Sequence, residues 1–134
     1  MSHLPAFSEY AAAFETTLQD DDWSRLGQYF CEDAVCAPGD GSEVQGREAV
    51  IAALKDSVER LERKTDAREL VGEPGVSEAG DQVTLTFKIR YTRAGMPDLI
   101  LDGVERLDYE NGRIRRLEDT FTNAGEYLAW REQL

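Results

Sequence analysis

Chemistry in this chain has few possible sources. Glu105 and Asp119 are the acidic pair that strand alternation turns inward from two neighbouring strands. Burial and mutual repulsion both raise a carboxyl pKa, so one member keeps its proton near neutral pH while the other ionises. A pair of that kind supplies a general acid and a general base for proton transfer at carbon, dehydration or ring closure. Tyr91 and Tyr109 share the face and could donate to a developing oxyanion. Asp119, Glu105 and Tyr91 are therefore the candidate catalytic set. A second reading stands beside it: an arginine, Arg115 first, neutralises the pair, or one carboxyl is solvated at an open rim.

Both carboxyls lie in Leu99–Phe121, LILDGVERLDY, then ENG, then RIRRLEDTF, which reads as two strands and a tight turn. Asn111-Gly112 alone would be a two-residue turn; Glu110-Asn111-Gly112 would be a three-residue loop with a left-handed glycine. One residue of register exchanges the faces. The two-residue turn pairs Arg106 with Leu117 and Val104 with Asp119 and leaves both faces mixed. The longer loop pairs Leu107 with Arg115, Glu105 with Leu117, Gly103 with Asp119 and Leu101 with Phe121. Leu99, Leu101, Leu107, Tyr109, Leu117 and Phe121 then share one face, so this register is preferred. It makes Glu105 and Asp119 diagonal neighbours and turns Arg115 inward.

The elements that must position this hairpin precede it. Phe7, Tyr10, Ala11, Phe14 and Leu18 recur at helical spacing over residues 5–19, with Pro5 in the first turn. Asp20-Asp21-Asp22 caps a short helix whose Trp23, Leu26 and Phe30 share a face; no oxygen ligands follow at calcium-loop spacing. Residues 34–37 and 43–45 form a small hairpin around Pro38-Gly39-Asp40-Gly41. A long helix runs from Gly46 to about Arg63 on Val50, Ile51, Leu54, Val58 and Leu61, its outer face laced with ion pairs. The period then changes to two. Residues 68–73 are a weak strand, 75–81 a loop, and 83–92 a strand with Val83, Leu85, Phe87, Ile89 and Tyr91 on one side. Asn123 and Glu126 are spaced as a capping box for a last helix with Tyr127, Trp130 and Leu134.

Composition sets the exclusions. The 134 residues suit one domain, 1–134, with a real core. A net charge of −12 argues against nucleic acid and anionic membrane surfaces as partners. MSHLPAF lacks the features of a signal peptide, and no apolar run approaches the ~20 residues of a membrane span. A cytoplasmic location is expected. Cys31 and Cys36 have no zinc-type partner spacing and read as free thiols. The single histidine, His3, falls in a stretch expected to fray. With no other histidine, neither a histidine relay nor a zinc hydrolase site can be built, and no phosphate-binding or GxSxG motif occurs. No metal and no cofactor are predicted.

Helices followed by antiparallel strands make an α+β order. With its opening helix, then DDWSRLGQYFCEDAV, GREAVIAAL and YENGRIRRLEDTF, the chain resembles the nuclear transport factor 2-like superfamily, in particular its SnoaL-like and ketosteroid-isomerase-like bacterial members. The resemblance implies a curved antiparallel sheet wrapped around the long helix, a cone (or cystatin-like roll) with one apolar mouth, and a homodimer through the sheet's outer face. For that face the residues are Ile100, Val104 and Ile114 among Thr86, Lys88, Arg90 and Arg106. The resemblance also implies where family chemistry would fall. The isomerases' oxyanion-hole tyrosine falls on Phe14, their base on or near Pro38 with Asp40 two residues on, and their protonated acid within a residue of Glu105. The last-strand aspartate of limonene epoxide hydrolase-like members falls on Asp119, their other charged pair on Leu85 and Phe87. SnoaL-type cyclases use an inward aspartate and histidine, and the histidine is missing.

The expected partner is a small apolar molecule in a pocket of Phe14, Trp23, Phe30, Leu54, Phe87, Leu101, Tyr109, Leu117 and Phe121. Three classes remain open: a cofactor-independent lyase, isomerase or cyclase; a module that binds such a molecule without turnover; and a dimeric interaction domain. Free carboxyls in an open cavity favour the first, a purely apolar cavity the second, and a filled cavity the third.

Overall fold

The computed structural model describes residues 2–134. Helix α1 (Leu4–Asp20) has Pro5 in its first turn and buries Phe7, Tyr10 and Thr17. Asp22 then caps a 3-10 segment (Trp23–Tyr29) by accepting from Ser24 N at 3.2 Å. Phe30 does not extend that helix. It opens strand β1 (Phe30–Ala37), which turns back as the two-residue β2 (Val44–Gln45). Helix α2 (Arg47–Arg60) follows and buries Val50, Leu54 and Val58. It ends earlier than its periodicity predicts, because the chain kinks at Leu61 and adds a separate 3-10 turn, Glu62–Lys64.

The remainder is sheet. Strands β3 (Ala67–Leu70), β4 (Gly75–Ala79), β5 (Gln82–Thr92), β6 (Leu99–Glu110) and β7 (Arg113–Phe121) precede helix α3 (Ala124–Glu132). The order is β2-β1-β7-β6-β5-β3, with β4 also on β5. All pairs are antiparallel except β1 with β7, so the expected α+β class with an open, curved sheet is what the chain forms. The stretch expected as the loop 75–81 is instead strand β4 and its turn. Gly75 and Ser77 are poor strand formers, and here the edge pairing with β5 outweighs that preference.

Neither expected register for the central hairpin is correct. Asn111 (φ 53°) and Gly112 (φ 77°) are both left-handed, and Glu110 pairs with Arg113: this is a two-residue turn whose conformation asparagine and glycine tolerate. A one-residue bulge follows. Tyr109 faces Ile114 but Asp108 faces Arg116, so Arg115 is the extra residue. Beyond the bulge Leu107 faces Leu117, Glu105 faces Asp119 and Gly103 faces Phe121. The carboxyls are direct partners, not diagonal ones. The bulge also explains why Ile114 and Leu117, three apart, are both fully buried. Ile114 therefore leaves the expected outer face, and Arg115 is expelled to solvent, 3.5 Å from Glu110 and 4.0 Å from Asp108.

Two apolar clusters result. One joins α1, the 3-10 segment, β1 and α2 to Val83, Leu107, Tyr109, Ile114 and Leu117. The other joins Leu61, Ile89, Tyr91, Leu99, Leu101, Tyr127 and Trp130. Asn123 does not make the expected capping box by bonding the helix backbone. Its amide bridges Ile100 O (2.7 Å) and Asp102 N (3.2 Å), which docks α3 on β6, and Trp130 Nε1 donates to Pro97 O at 2.7 Å. His3 is not frayed. Its backbone N–H donates to Glu78, its Nε2 lies 2.9 Å from Asp81, and its ring stacks on Tyr109 at 5.0 Å.

Candidate functional site

Between the two clusters lies a cavity of about 390 Å³. Helix α1 contributes Phe7, Tyr10, Phe14 and Glu15; α2 contributes Leu54 and Val58; the sheet contributes Leu85, Phe87, Ile89, Tyr91, Leu101, Glu105, Asp119 and Phe121. Strand alternation puts Leu85, Phe87, Ile89 and Tyr91 on one side of β5, and β5 pairs them with Glu105, Gly103, Leu101 and Leu99. At Gly103 the absent side chain is a spatial requirement. A Cβ there would lie 2.5 Å from Phe87 Cζ and 2.9 Å from Phe121 Cδ1, so glycine lets the two rings close over the strand. Leu70 (55% exposed) and Val76 (48%) belong to the rim.

Of the residues expected to line the pocket, Phe14, Leu54, Phe87, Leu101 and Phe121 do so. Trp23, Phe30, Tyr109 and Leu117 do not. Phe30, itself fully buried, opens β1, Leu117 packs between β1 and β6, Trp23 supports Phe14 edge-on from behind, and Tyr109 stacks on His3. Helical and strand spacing identify an apolar face, and a face includes packed side chains as well as those that meet a void. Phe7, Tyr10, Leu61, Glu62, Arg68 and Tyr127 also line it. The helical stripe pointed Phe7 and Tyr10 inward; Glu62 follows an unforeseen kink, and Arg68 lies on a weak edge strand. A second, polar depression of about 350 Å³ at the hairpin tips, with Asp81, Asp108, Glu110 and Arg115, lies among charged surface groups.

Glu105 and Asp119 face each other across β6 and β7 and line the cavity. Both side chains are half-buried along its wall. Burial pushes both carboxyls above the ordinary carboxylate range, and the charge of Glu105 pushes Asp119 further. Among the described residues no arginine or lysine forms an ion pair with either, and Asp119 Oδ1 is buried without a partner. Tyr10 is the nearby phenol that helical spacing did not mark for chemistry. Burial, then Glu105 and Asp119, hold its pKa well up, so it remains a hydrogen-bond donor. The same pair, after burial, raises Cys36 to about 12, which leaves a thiol without nucleophilic character. Both cysteines are free. Asp40 is a turn residue that accepts from Ser42 and faces Arg131 at 3.9 Å.

Tyr91 belongs to a different part of the wall. Its hydroxyl donates to Glu62 Oε1 at 3.2 Å, and burial followed by Glu62 raises its pKa. It is not a neighbour of the carboxyl pair in the way Tyr10 is. Among the described residues no cluster of histidine, cysteine and carboxylate side chains could hold a metal ion, and no helix is long and apolar enough to cross a membrane.

A SnoaL-like domain model matches residues 10–117, most of the chain, from within α1 into β7, ending two residues before Asp119. The chain belongs to the SnoaL-like family. Its fold is that of NTF2-like proteins. An NTF2-like protein of unknown function from Burkholderia pseudomallei is 22% identical, with a TM-score of 0.72 over 97% of this chain and 98% of that one. A putative polyketide cyclase from Xanthomonas campestris is 19% identical, TM-score 0.66, over 97% and 99%. A putative SnoaL-like polyketide cyclase from Shewanella putrefaciens is 13% identical, TM-score 0.65, over 95% and 86%. These identities establish a shared architecture. No curated protein matches the chain.

Proposed function

We propose that this SnoaL-like protein is a cofactor-independent enzyme of the isomerase, lyase or cyclase kind that moves protons on a small, mostly apolar molecule. The observation that carries the reading is the Glu105–Asp119 pair: directly opposed, without a cation, on the wall of an apolar cavity of drug-like dimensions. At neutral pH such a pair shares one proton. The ionised member removes a proton from carbon beside a carbonyl; the C–H electron pair becomes a C=C bond and the carbonyl π pair moves onto oxygen. The protonated member, with Tyr10 O–H, donates to the oxygen and gives the enol. Where a C=C is conjugated with the enol, return of the proton at its far carbon, as the enol O–H gives its own back to the carboxylate, shifts the double bond. Attack by the enol carbon on a second carbonyl of the same molecule, whose oxygen takes a proton from the protonated carboxyl while the enol O–H returns one to the carboxylate, closes a ring. Both outcomes balance without an external oxidant or reductant. Neighbours named as putative polyketide cyclases are in keeping with this chemistry. The outer sheet face, with exposed Ile100 and half-buried Val104 but without Ile114, is the proposed homodimer contact.

The test uses apolar cyclic ketones, 2-tetralone first, with α-hydrogen exchange into D₂O followed by NMR. Wild type is expected to accelerate exchange, and Asp119→Asn and Glu105→Gln each to cut the acceleration by about 10²–10⁴-fold. Acceleration that survives in both folded variants refutes the carboxyl mechanism. Ketone binding without acceleration makes the protein a binding module instead.

A further inference from the structure

The cavity has a second polar region that the carboxyl chemistry leaves unused. Arg68 on β3 is the cross-strand partner of Tyr91 on β5, so both side chains point to the same face. Glu62, on the 3-10 turn after α2, reaches them from the helix side. Its Oε1 accepts from Tyr91 Oη at 3.2 Å and lies 3.9 Å from Arg68 Nε, while Arg68 Nη2 lies 3.7 Å from Glu15 Oε1. The two Arg68 contacts are long for ion pairs, which leaves guanidinium N–H groups available. Glu62 Oε2 is sheltered from water and has no hydrogen-bond partner among the described residues. All four side chains line the cavity, and Arg68 is the one basic residue of its described wall.

A buried carboxyl oxygen without a partner is costly, and a ligand donor that reaches it recovers that cost. Arg68 is already flanked by two carboxylates, so an added anion meets repulsion as well as attraction. A neutral hydroxyl avoids this conflict, since it donates to Glu62 and accepts from Arg68 at once. We infer that the Glu62–Tyr91–Arg68 cluster is a recognition site for a hydroxyl group of the ligand, placed away from the carbonyl that meets Glu105 and Asp119. The substrate class is then a neutral, mostly apolar ketone carrying a remote alcohol or phenol. This deepens the function proposed above and rests on it for the carbonyl end.

Three matched probes test it by calorimetry: 4-acetylbiphenyl, 4-acetyl-4′-hydroxybiphenyl and 4′-acetylbiphenyl-4-carboxylate. Wild type is expected to bind the hydroxylated ketone about tenfold more tightly than the unsubstituted one, the worth of one net hydrogen bond, and the carboxylate less well. Glu62→Gln, and independently Arg68→Gln on the partly exposed edge strand, should bring the hydroxyl preference towards one while circular dichroism reports an intact fold. Asp119→Asn should keep the preference. A preference that survives in both cluster variants, or tighter binding of the carboxylate, overturns the inference. Equal affinities for the two ketones in wild type remove the hydroxyl site alone, and failure to bind any probe removes the ligand cavity as well.

Discussion

The carboxyl pair makes a claim that can be checked without any ligand. In the unfolded chain Asp and Glu titrate near pH 4, so above about pH 5 both Glu105 and Asp119 are ionised there. In the folded chain burial raises both, and Glu105 raises Asp119 again, so the pair holds a proton above the pH at which the unfolded chain has lost it. Folding above pH 5 therefore takes up one proton. Stability falls by about 1.4 kcal/mol for each pH unit until the folded pair itself loses the proton. The double variant Glu105→Gln/Asp119→Asn removes both carboxyls and with them the proton uptake. The remaining titrations are common to both proteins and cancel in the comparison. Urea unfolding at pH 5, 6, 7 and 8 should show wild type losing stability relative to the variant by about 1.4 kcal/mol per pH unit for as long as the folded pair keeps its proton. At pH 5 and below the difference shrinks. A wild-type-minus-variant difference that is flat from pH 5 to 8 would mean that the folded pair is fully ionised, and the acid–base reasoning would fail with it.

Gly103→Ala should destabilise the chain by about 1–3 kcal/mol through overpacking, because its methyl group meets the Phe87 and Phe121 rings; the same shift of rings should change probe affinity more than a surface glycine such as Gly125→Ala does. Thermal unfolding and calorimetry read both effects, and an unchanged affinity would show that the rings do not shape the binding space. Sedimentation at micromolar concentration should find a dimer that Ile100→Asp converts to monomer, since Ile100 is 40% exposed on the outer face. A wild-type monomer removes that interface.

The architecture was readable from periodicity because periodicity is its physical cause. Val83 to Tyr91 alternate in sequence and line one side of β5 in the fold. The hairpin shows both the reach and the end of such reasoning. Any slip by an even number of residues preserves the faces, so apolar alternation sufficed to turn Glu105 and Asp119 to the same side as Leu101, Leu107 and Leu117. It could not name the partner across the ladder, since the bulge falls at Arg115, between Ile114 and Arg116, where no glycine or proline marks it. The same bulge turns to solvent the arginine expected to neutralise the pair. Glu62 and Arg68 were beyond reach for a different reason: a helix kink and a four-residue edge strand bring them to the cavity, and neither leaves a periodic trace.

Both borders of the sheet are short. On one side β2 has two residues; on the other β3 and β4 take turns along β5, with Pro74 in the break between them. Neither border offers the long row of free amide and carbonyl groups on which a foreign strand could grow. A protein with an open sheet and an apolar hollow is thereby guarded against fibrillar stacking, and any pairing of copies is steered to the broad back of the sheet.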